Sequence, residues 1–307
     1  MTLVGAIETG GTTTRTAVAG IDGDGLPRLL ARATTPTTDP AATLGRAAEF
    51  LRGSALAAVA VAAFGPLELR RESPDFGSLL ATPKPGWSRF PLRHALEHAL
   101  SLPVAIDTDV GAAALGEQAA AVAAGVAPLE VGTLAYVTVG TGIGVGLALD
   151  GAIHHGALHP EAGHLRVARA AGDDFAGLCP FHRDCLEGFA SGPALAARAG
   201  GDPETLPRDA PALRAALAIE ADYLAQLVLA IVGLVAPHRI VVGGGVLRAP
   251  GLLEAIRAQA IERSAGYSPL LADADRATRL LVPPACGDDS ALLGAALLAT
   301  RQRASAR

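Results

Sequence analysis

The alternation of apolar and polar residues along this chain predicts strands and helices in turn. Apolar runs of strand length occur at residues 3–7, 15–19, 57–63, 104–106, 134–139, 145–149 and 239–242. Longer stretches with a helical pattern occur at residues 41–52, 92–100, 111–124, 211–234 and 290–301. Short apolar runs bounded by turn residues are typical of buried strands, and longer periodic stretches are typical of helices. The order of these elements predicts an α/β fold.

A strand, a glycine-rich turn and a second strand occur twice in this pattern. The first copy has its turn at residues 10–12 and the second at residues 140–144, and each copy opens an α/β segment. Recurrence of one supersecondary unit is the signature of an internal duplication. We therefore expect two related α/β halves.

Composition allows a large buried core and argues against two classes of partner. Half of the 307 residues are hydrophobic and 4% are aromatic, so we expect a core of mainly Ala, Val and Leu. A net charge of −5 with scattered arginines argues against nucleic acid as the main partner. No run approaches the roughly 20 apolar residues that span a bilayer, and the N-terminus lacks the basic region of a signal peptide. We expect a cytoplasmic protein that binds neither nucleic acids nor membranes.

Three glycine clusters follow predicted strands, at residues 10–12, 140–146 and 243–245. Glycine lets backbone amides approach phosphate oxygens, and threonine hydroxyls add further donors. Any one cluster is also what a tight turn requires, but three at separate strand ends favour a phosphate-binding cleft. No Gly-Lys-Ser/Thr sequence follows any of them, which excludes a Walker loop. A strand rather than a helix follows the second cluster, which excludes the dinucleotide fingerprint.

A short loop carries three residues that bind soft metals. Cys179, His182 and Cys185 are spaced by two residues each, and His164 lies fifteen residues before Cys179. Two thiolates and two imidazoles suit a structural, tetrahedral zinc site. The alternative is a loop with incidental thiols.

Two carboxylates stand where a predicted strand meets a predicted helix. Asp107 and Asp109 follow the strand at residues 104–106 and precede the helix at residues 111–124. Phosphoryl transfer needs a carboxylate that accepts the proton of the attacking hydroxyl. The alternative for Asp109 is to satisfy free amides at the helix start. Strand alternation places both carboxylates on one face, but the helix start would turn one of them away.

The motifs and their order resemble the ROK family (repressors, open reading frames, kinases) of the actin and hexokinase superfamily, and most closely its bacterial fructokinases. The matching segments lie between Val4 and Leu298. They are Ile7-Glu-Thr-Gly-Gly-Thr12, Phe64-Gly-Pro66, Thr82-Pro-Lys-Pro-Gly-Trp87, Asp107-Thr-Asp-Val-Gly-Ala-Ala-Ala-Leu-Gly-Glu117, Thr138-Val-Gly-Thr-Gly-Ile-Gly144, His159-Pro-Glu-Ala-Gly-His164, Cys179-Pro-Phe-His-Arg-Asp-Cys-Leu-Glu187 and Val242-Gly-Gly-Gly-Val246.

The resemblance implies a two-lobed actin-like ATPase (ribonuclease H-like) fold with the ligand cleft between the lobes. It implies that residues 1–112 and about 287–307 form the N-terminal α/β lobe. Residues 113–286 would form the C-terminal α/β lobe with the zinc loop, and the last helix would cross back to the first lobe. It also implies a homodimer.

The resemblance further implies ATP-dependent phosphorylation of D-fructose to fructose 6-phosphate, with Mg²⁺ and a structural zinc. Asp109 would be the general base, and Glu8 would lie near Mg²⁺. The sugar-binding residues would be Thr108, Glu161, His164 and Glu187. The nucleotide-binding residues would be Glu8, Gly10, Gly11, Thr12, Thr13, Gly140, Thr141, Gly142, Gly243, Gly244 and Gly245. The zinc ligands would be His164, Cys179, His182 and Cys185, so that His164 would bind both the metal and the sugar.

Two positions depart from the pattern of many relatives, which have asparagine at the position of Gly111 and lysine at that of Thr13. A ROK kinase for glucose, mannose or an N-acetyl sugar stays an alternative, as does a sugar-sensing protein without activity. ROK repressors carry a helix-turn-helix before the first strand, for which the stretch before Glu8 leaves no room.

Several residues are not assigned a site by the sequence. Trp87 either packs in the core or flanks the sugar. No partner is predicted for Cys286, His154, His155 and His238, for which packing or solvation suffices.

Overall fold

Ten strands and nine α-helices make up the described part of the protein. The structure, a computed structural model, describes residues 1–22 and 25–305. The strands form two five-stranded sheets. Contacts between residues divide the chain into two compact units. We call Met1–Gly132, Gly146–Pro160 and Ala285–Arg307 the first unit, and Thr133–Val145 and Glu161–Pro284 the second unit.

The first sheet joins a three-stranded antiparallel meander to two parallel strands. In chain order its strands are β1 (Thr2–Thr9), β2 (Thr13–Ile21), β3 (Arg28–Pro36), β4 (Val59–Ala63) and β5 (Val104–Thr108). They lie in the order β3-β2-β1-β4-β5, with β4 parallel to both β1 and β5. The helices of this part of the chain are α1 (Pro40–Arg52), α2 (Leu92–Leu100) and α3 (Asp109–Ala123).

The second sheet repeats this arrangement. Its strands are β6 (Thr133–Val139), β7 (Ile143–Leu149), β8 (Ala152–Ile153), β9 (Arg239–Gly243) and β10 (Leu281–Val282). Their order is β8-β7-β6-β9-β10, with β9 parallel to both β6 and β10. Since the strand order and the parallel pairs match those of the first sheet, the predicted internal duplication is confirmed. The remaining helices are α4 (Leu186–Ala190), α5 (Gly192–Ala199), α6 (Pro211–Val235), α7 (Leu252–Ser264), α8 (Ala274–Leu280) and α9 (Ser290–Ser305).

The predicted domain boundary at residues 112 and 113 falls inside α3. This helix runs without interruption from Asp109 to Ala123 and packs along α9, so both helices belong to the first unit. A cut within α3 would also break the backbone hydrogen bonds of a continuous helix. The compact units divide instead after Gly132, and residues 146–160 belong to the first unit rather than to the second.

Small residues let α3 and α9 approach closely. A Cβ atom added at Gly116 would lie 2.3 Å from the carbonyl oxygen of Ser290, and one added at Gly294 would lie 1.8 Å from that of Ala112. Both distances are far below a van der Waals contact, so only glycine fits at either position. The two helix backbones therefore touch directly.

Glu117 fixes the start of α9 relative to α3. Its carboxylate is buried and accepts hydrogen bonds from the amides of Ala285 (2.9 Å) and Cys286 (3.0 Å) and from the hydroxyl of Ser290 (2.6 Å). A buried carboxylate is costly unless its oxygens are hydrogen-bonded, and here both oxygens are. The contact joins two segments of the first unit that are about 170 positions apart in the chain.

Trp87 belongs to the core of the first unit. Its side chain is fully buried, and its ring meets those of Phe64 and Phe90 edge to face, with centroids 5.2 and 5.9 Å away. Its Nε1 donates a 2.7 Å hydrogen bond to the carbonyl of Thr38. Of the two interpretations open from the sequence, the packing one is confirmed, since no face of the ring reaches the surface.

The apolar helix α6 is the main core helix of the second unit. By length and composition it could cross a membrane, but half of its most apolar stretch is buried inside the protein. It packs against α5 and α7. Tyr223 on this helix donates a 2.6 Å hydrogen bond to Asp173, which also pairs with Arg198 at 2.7 Å.

Glu220, also on α6, is a buried carboxyl group without a hydrogen-bonding partner. Its side chain is fully buried, and neither carboxyl oxygen has a partner among the described residues. Burial raises its pKa well above the usual value, although the charge of Arg198 opposes that shift. The folded chain therefore holds this carboxyl protonated at a pH at which the unfolded chain would ionise it.

This burial predicts that replacing Glu220 stabilises the protein most at high pH. A raised folded-state pKa contributes stability that is complete below the unfolded-state value of about 4.5 and is lost as pH rises toward the folded-state pKa. We expect Glu220→Met to raise the free energy of unfolding by about 1–3 kcal/mol at pH 8 and by less at pH 5, measured by urea denaturation. Glu262→Met, on the exposed surface of α7, is the control and should change little at either pH. An equal gain for Glu220→Met at both pH values would contradict this account.

Candidate functional site

Thr108 and Asp109 form the junction at which β5 ends and α3 begins. Thr108 is the N-cap residue, and its Oγ1 accepts a 3.0 Å hydrogen bond from the amide of Gly111. Asp109 occupies the first helical position, and its Oδ1 accepts a 2.8 Å bond from the amide of Val110. The sequence allowed Asp109 to be the residue that caps α3, but the buried Thr108 is the cap. The carboxylate of Asp109 is partly exposed in the first turn of α3.

Asp107 faces away from solvent and pairs with His155. Its Oδ1 accepts a 2.7 Å bond from the amide of Thr108, and its Oδ2 lies 3.0 Å from His155 Nε2. The hydrogen bond to Asp107 raises the pKa of His155, although burial opposes the shift. The prediction that packing or solvation accounts for His155 is therefore wrong, because this histidine has a carboxylate partner. The pairing also shows which of the two carboxylates turns away at the helix start.

Gly111 leaves no room for a side chain. A Cβ atom there would lie 2.8 Å from Thr108 Oγ1, 2.9 Å from Asp107 Oδ1 and 2.9 Å from Ile153 Cγ2. The space that a side chain would need is thus filled by the cap, by the carboxylate that pairs with His155 and by β8. Neighbouring side chains therefore occupy the space that a side chain at position 111 would fill.

His159 supports the neighbouring loop of the first unit. Its Nε2 accepts a 2.9 Å hydrogen bond from the amide of Leu67, directly after the Phe64-Gly-Pro66 segment. Burial lowers the pKa of His159, which keeps the imidazole neutral and able to accept that bond.

The first glycine turn connects β1 to β2. The amide of Gly10 donates a 2.9 Å hydrogen bond to the carbonyl of Thr13, which closes the turn, and the residues at 11, 12 and 13 are exposed. Glu8, just before the turn, lies 3.4 Å from Arg15. Burial raises the pKa of Glu8, and the guanidinium of Arg15 opposes this shift.

The second glycine turn connects β6 to β7 and is bonded to Glu187. The amide of Gly140 donates to the carbonyl of Gly142 at 2.9 Å, and Glu187 Oε2 accepts a 3.0 Å bond from the amide of Ile143. A Cβ atom at Gly142 would lie 2.6 Å from the same carboxylate oxygen. Glu187, which was predicted to bind sugar, therefore supports the turn that was predicted to bind nucleotide.

The third glycine cluster follows β9 and combines two constraints. A Cβ atom at Gly243 would lie 2.7 Å from the hydroxyl of Tyr136, and one at Gly244 would lie 2.3 Å from the carbonyl of Val139. Gly244 also has a φ of 96°, which disfavours other residues. Close packing against β6 thus explains these two glycines without a ligand.

Each cluster nevertheless contains one glycine that packing does not explain. At Gly11, Gly140 and Gly245 an added Cβ atom would meet no described atom within 4 Å, and none of the three has a left-handed φ. A glycine in open space leaves the backbone accessible to a ligand. Each of the three turns thus has one position at which the backbone is open, as the phosphate-binding interpretation requires.

The four predicted zinc ligands come together in the second unit. One donor atom from each of His164, Cys179, His182 and Cys185 lies within 4.8 Å of the others. His164 Nδ1 is 3.7 Å from Cys179 Sγ and 3.6 Å from Cys185 Sγ, and His182 Nδ1 is 3.8 Å from Cys179 Sγ. Zinc bonds of about 2.3 Å to sulfur and about 2.0 Å to nitrogen give tetrahedral S···N edges of roughly 3.5 Å. The arrangement therefore fits zinc.

Protonation of the thiols opposes metal binding in this loop. Both cysteines are buried, and burial raises the pKa of Cys185 to about 11. Zinc binds thiolates, so its binding must release protons and must weaken as pH falls.

Glu161 and Glu187 are electrostatically coupled near the metal loop. Partial removal from water raises the pKa of Glu161, the charge of Glu187 raises it further, and His164 lowers it. Of the predicted sugar-binding residues, Glu161, His164 and Glu187 thus form one group in the second unit. Thr108 lies in the first unit, where its hydroxyl caps α3.

The remaining histidine and cysteine predictions need correction in two places. His238 Nδ1 accepts a 3.1 Å hydrogen bond from the amide of Thr133, so it has a partner at the start of β6. Cys286 donates its amide to Glu117, and burial raises the pKa of its thiol to about 12. Neither contact could be found from the sequence, because each joins residues more than 100 positions apart.

Comparisons with known proteins identify the family. The ROK family matches residues 4–302. The chain is 39% identical over 305 residues to the fructokinase of Zymomonas mobilis, with 97% of this chain and 96% of that protein covered. It is 34% identical over 297 residues to the fructokinase of Pediococcus pentosaceus, with 97% of each covered.

A solved structure has the same fold. The ROK hexokinase from Thermus thermophilus superposes with a TM-score of 0.73 at 29% identity, and the match covers 99% of each chain. With two α/β sheets of matching topology, this confirms the predicted fold class, the actin-like ATPase fold.

The metal loop predicts one zinc ion per chain that is lost when a buried thiol is removed. We expect elemental analysis of purified protein to give about one zinc per chain and Cys185→Ser to give much less, because three ligands no longer close the tetrahedron. Cys286→Ser is the matched control and should keep its zinc. Zinc bound equally by the Cys185→Ser variant would contradict the assignment.

Proposed function

The chain belongs to the ROK family, and we propose that it is an ATP-dependent fructokinase. In this reaction the γ-phosphoryl group of ATP is transferred to the primary hydroxyl of D-fructose, which gives ADP and fructose 6-phosphate. The observation that carries the proposal is the Asp109 carboxylate, which lies partly exposed at the start of α3 while Thr108 takes over the capping. The names of the two fructokinases that match over almost the whole chain support fructose as the substrate.

Asp109 acts as the general base. Its carboxylate accepts the proton of the sugar hydroxyl as that oxygen attacks the γ-phosphorus, and the bond from phosphorus to the ADP oxygen breaks. The carboxylate lies at the N-terminus of α3, where the helix dipole favours negative charge. Asp107 does not compete for this proton, because it is buried and bound to His155.

The glycine turns hold the nucleotide. The predicted contacts lie along the backbone at Gly11, Gly140 and Gly245, where open space supports them. The amides of Gly10 and Gly140 close their own turns and so shape the backbone there. Mg²⁺, when bound with ATP, neutralises charge on the phosphates. Glu8 supplies a carboxylate for that ion, directly or through water.

The zinc loop orients the sugar-binding residues. His164 turns its Nδ1 toward both thiols, which leaves Nε2 for a sugar hydroxyl. Fixing one ring nitrogen on a metal fixes the tautomer and orientation of the other. Glu161 and Glu187 lie in the same group and accept further sugar hydroxyls.

Two other functions remain as alternatives. A ROK kinase for another hexose would use the same base and the same turns, and a homologous structure named hexokinase keeps this alternative open. A sugar sensor would bind sugar but would show no turnover, with or without Asp109. We also propose a cytoplasmic location and a homodimer, as the family resemblance implies.

The general-base role predicts a large loss of turnover in Asp109→Asn. We expect kcat to fall by about 10²–10⁴-fold in a coupled ADP assay, because the amide cannot accept the proton. Asp275→Asn is the matched control, since Asp275 is an exposed aspartate in the first turn of α8. Its kcat should stay within twofold of the wild-type value. Wild-type turnover in Asp109→Asn would rule out this role, and no turnover in the wild-type chain would favour the sensor.

The substrate assignment predicts the highest kcat/KM for D-fructose among hexoses. The panel includes glucose, mannose and N-acetylmannosamine, and zinc is quantified on the same sample. After chelation of zinc we expect the KM for fructose to rise at least about tenfold, because His164 loses its fixed orientation. A higher kcat/KM for another sugar would reassign the substrate, and an unchanged KM without zinc would remove the bridging role of His164.

A further inference from the structure

Lys84, the single lysine of the chain, lies at the first glycine turn. Its Nζ donates a 2.6 Å hydrogen bond to the carbonyl of Gly11 and a 3.3 Å bond to the carbonyl of Thr37. All other fixed cationic side chains of this protein are arginines. The one ammonium group is thus placed where the backbone of β1 turns into β2.

The segment that carries Lys84 is anchored on both sides of it. The amide of Lys84 donates to Thr82 Oγ1 at 3.4 Å, and the carbonyl of Lys84 accepts a 3.1 Å bond from the amide of Trp87. Trp87 is fully buried and bonded to Thr38. The core of the first unit therefore fixes the backbone position of Lys84. Its side chain has little conformational freedom to lose when it binds a ligand.

The charge of Lys84 is not neutralised by a carboxylate. Both hydrogen bonds of Nζ go to backbone carbonyl oxygens, and no ion pair within residues 1–22 and 25–305 includes it. An ammonium group has three donors, so one is left for a ligand. Gly11, to which Lys84 is bonded, is also a glycine whose Cβ position is open space. An uncompensated cation beside open backbone is a site for an anion.

We propose that Lys84 binds the terminal phosphate of the nucleotide at the first glycine turn. This inference rests on the proposed function, in which that turn holds ATP. The ammonium keeps its bond to Gly11 and gives its remaining donor to an oxygen of the transferring phosphoryl group. It thereby offsets negative charge on this group during transfer, as a positioned cation does in other phosphoryl-transfer sites.

The single lysine makes a direct labelling test feasible. Wild-type protein is treated with an acetylating succinimidyl ester, and acetylation at residue 84 is followed by peptide mass spectrometry, with the α-amino group as internal reference. The arms contain no ligand, Mg²⁺-ADP, the Mg²⁺ complex of a non-hydrolysable ATP analogue, or fructose 6-phosphate. Calorimetry on the same sample establishes binding in each arm. We expect the ATP analogue to slow acetylation at least about tenfold more than ADP does, because only the analogue carries the terminal phosphate.

Equal protection by bound ADP and the bound ATP analogue would overturn the inference. Protection by fructose 6-phosphate but not by the analogue would also overturn it, since the phosphate held would then belong to the sugar. If calorimetry detects no nucleotide binding, the proposed function fails and the inference fails with it. Nucleotide binding and fructose turnover without selective protection would overturn the inference alone.

Substitution separates a phosphate contact from a purely structural strap. We expect Lys84→Met to lower kcat about 100-fold and to leave the KM for fructose within twofold, and Lys84→Arg to retain more than a tenth of wild-type kcat. Arg46→Met is the matched control, because Arg46 bonds the residues on either side of Thr37, whose carbonyl also accepts a bond from Lys84. Arg46 donates to the carbonyl of Pro36 (2.8 Å) and to Thr38 Oγ1 (3.0 Å). If Arg46→Met loses as much kcat as Lys84→Met, the role of Lys84 is structural and the proposal is wrong.

Discussion

The direct contact between the backbones of α3 and α9 is the constraint on which the first unit depends. Gly116 and Gly294 permit an approach that a single methyl group at either position would prevent. Glu117 then fixes the two helices along their axes through three hydrogen bonds at the start of α9. Because α9 also packs on β1 and β4, this contact sets the position of the α3 N-terminus, which carries Asp109, relative to the first sheet, which carries the first glycine turn. The geometry at the ends of β1 and β5 thus follows from packing well away from them.

In the second unit, a short segment connects the metal loop to the second glycine turn. The helix α4 begins directly after Cys185, and Glu187 in its first turn accepts the amide of Ile143. A Cβ atom at Gly188 would lie 1.8 Å from the carbonyl of Arg183, so the metal loop and this helix are packed without slack. Metal coordination and the shape of the turn are therefore mechanically linked. A zinc ion at the proposed site would therefore order Glu187 and, through it, the second glycine turn.

The sequence predicted well those features that depend on nearby residues. The buried strands β4 and β6, the two hairpin turns and the proximity of the four Cys and His side chains all follow from apolar runs, glycine positions or residue spacing within a short stretch. The exposed edge strand β3 was missed, because none of its residues is fully buried and its pattern has no apolar face. The pair of Asp107 and His155 was missed because 48 positions separate its members. The glycine clusters could not be divided into packing positions and open positions until their neighbours were known.

The tight packing around Gly111 restricts how this chain can evolve. Thr108, Asp107 and Ile153 fill the volume that a side chain at position 111 would occupy. A side chain introduced there would clash with the helix cap Thr108, with Asp107 and with Ile153 of β8. An asparagine at this position, as the family resemblance implies for many relatives, therefore requires Thr108, Asp107 and Ile153 all to shift or to be replaced. Positions 107, 108, 111 and 153 are thus coupled by packing, and a substitution at one of them changes what the others can accept.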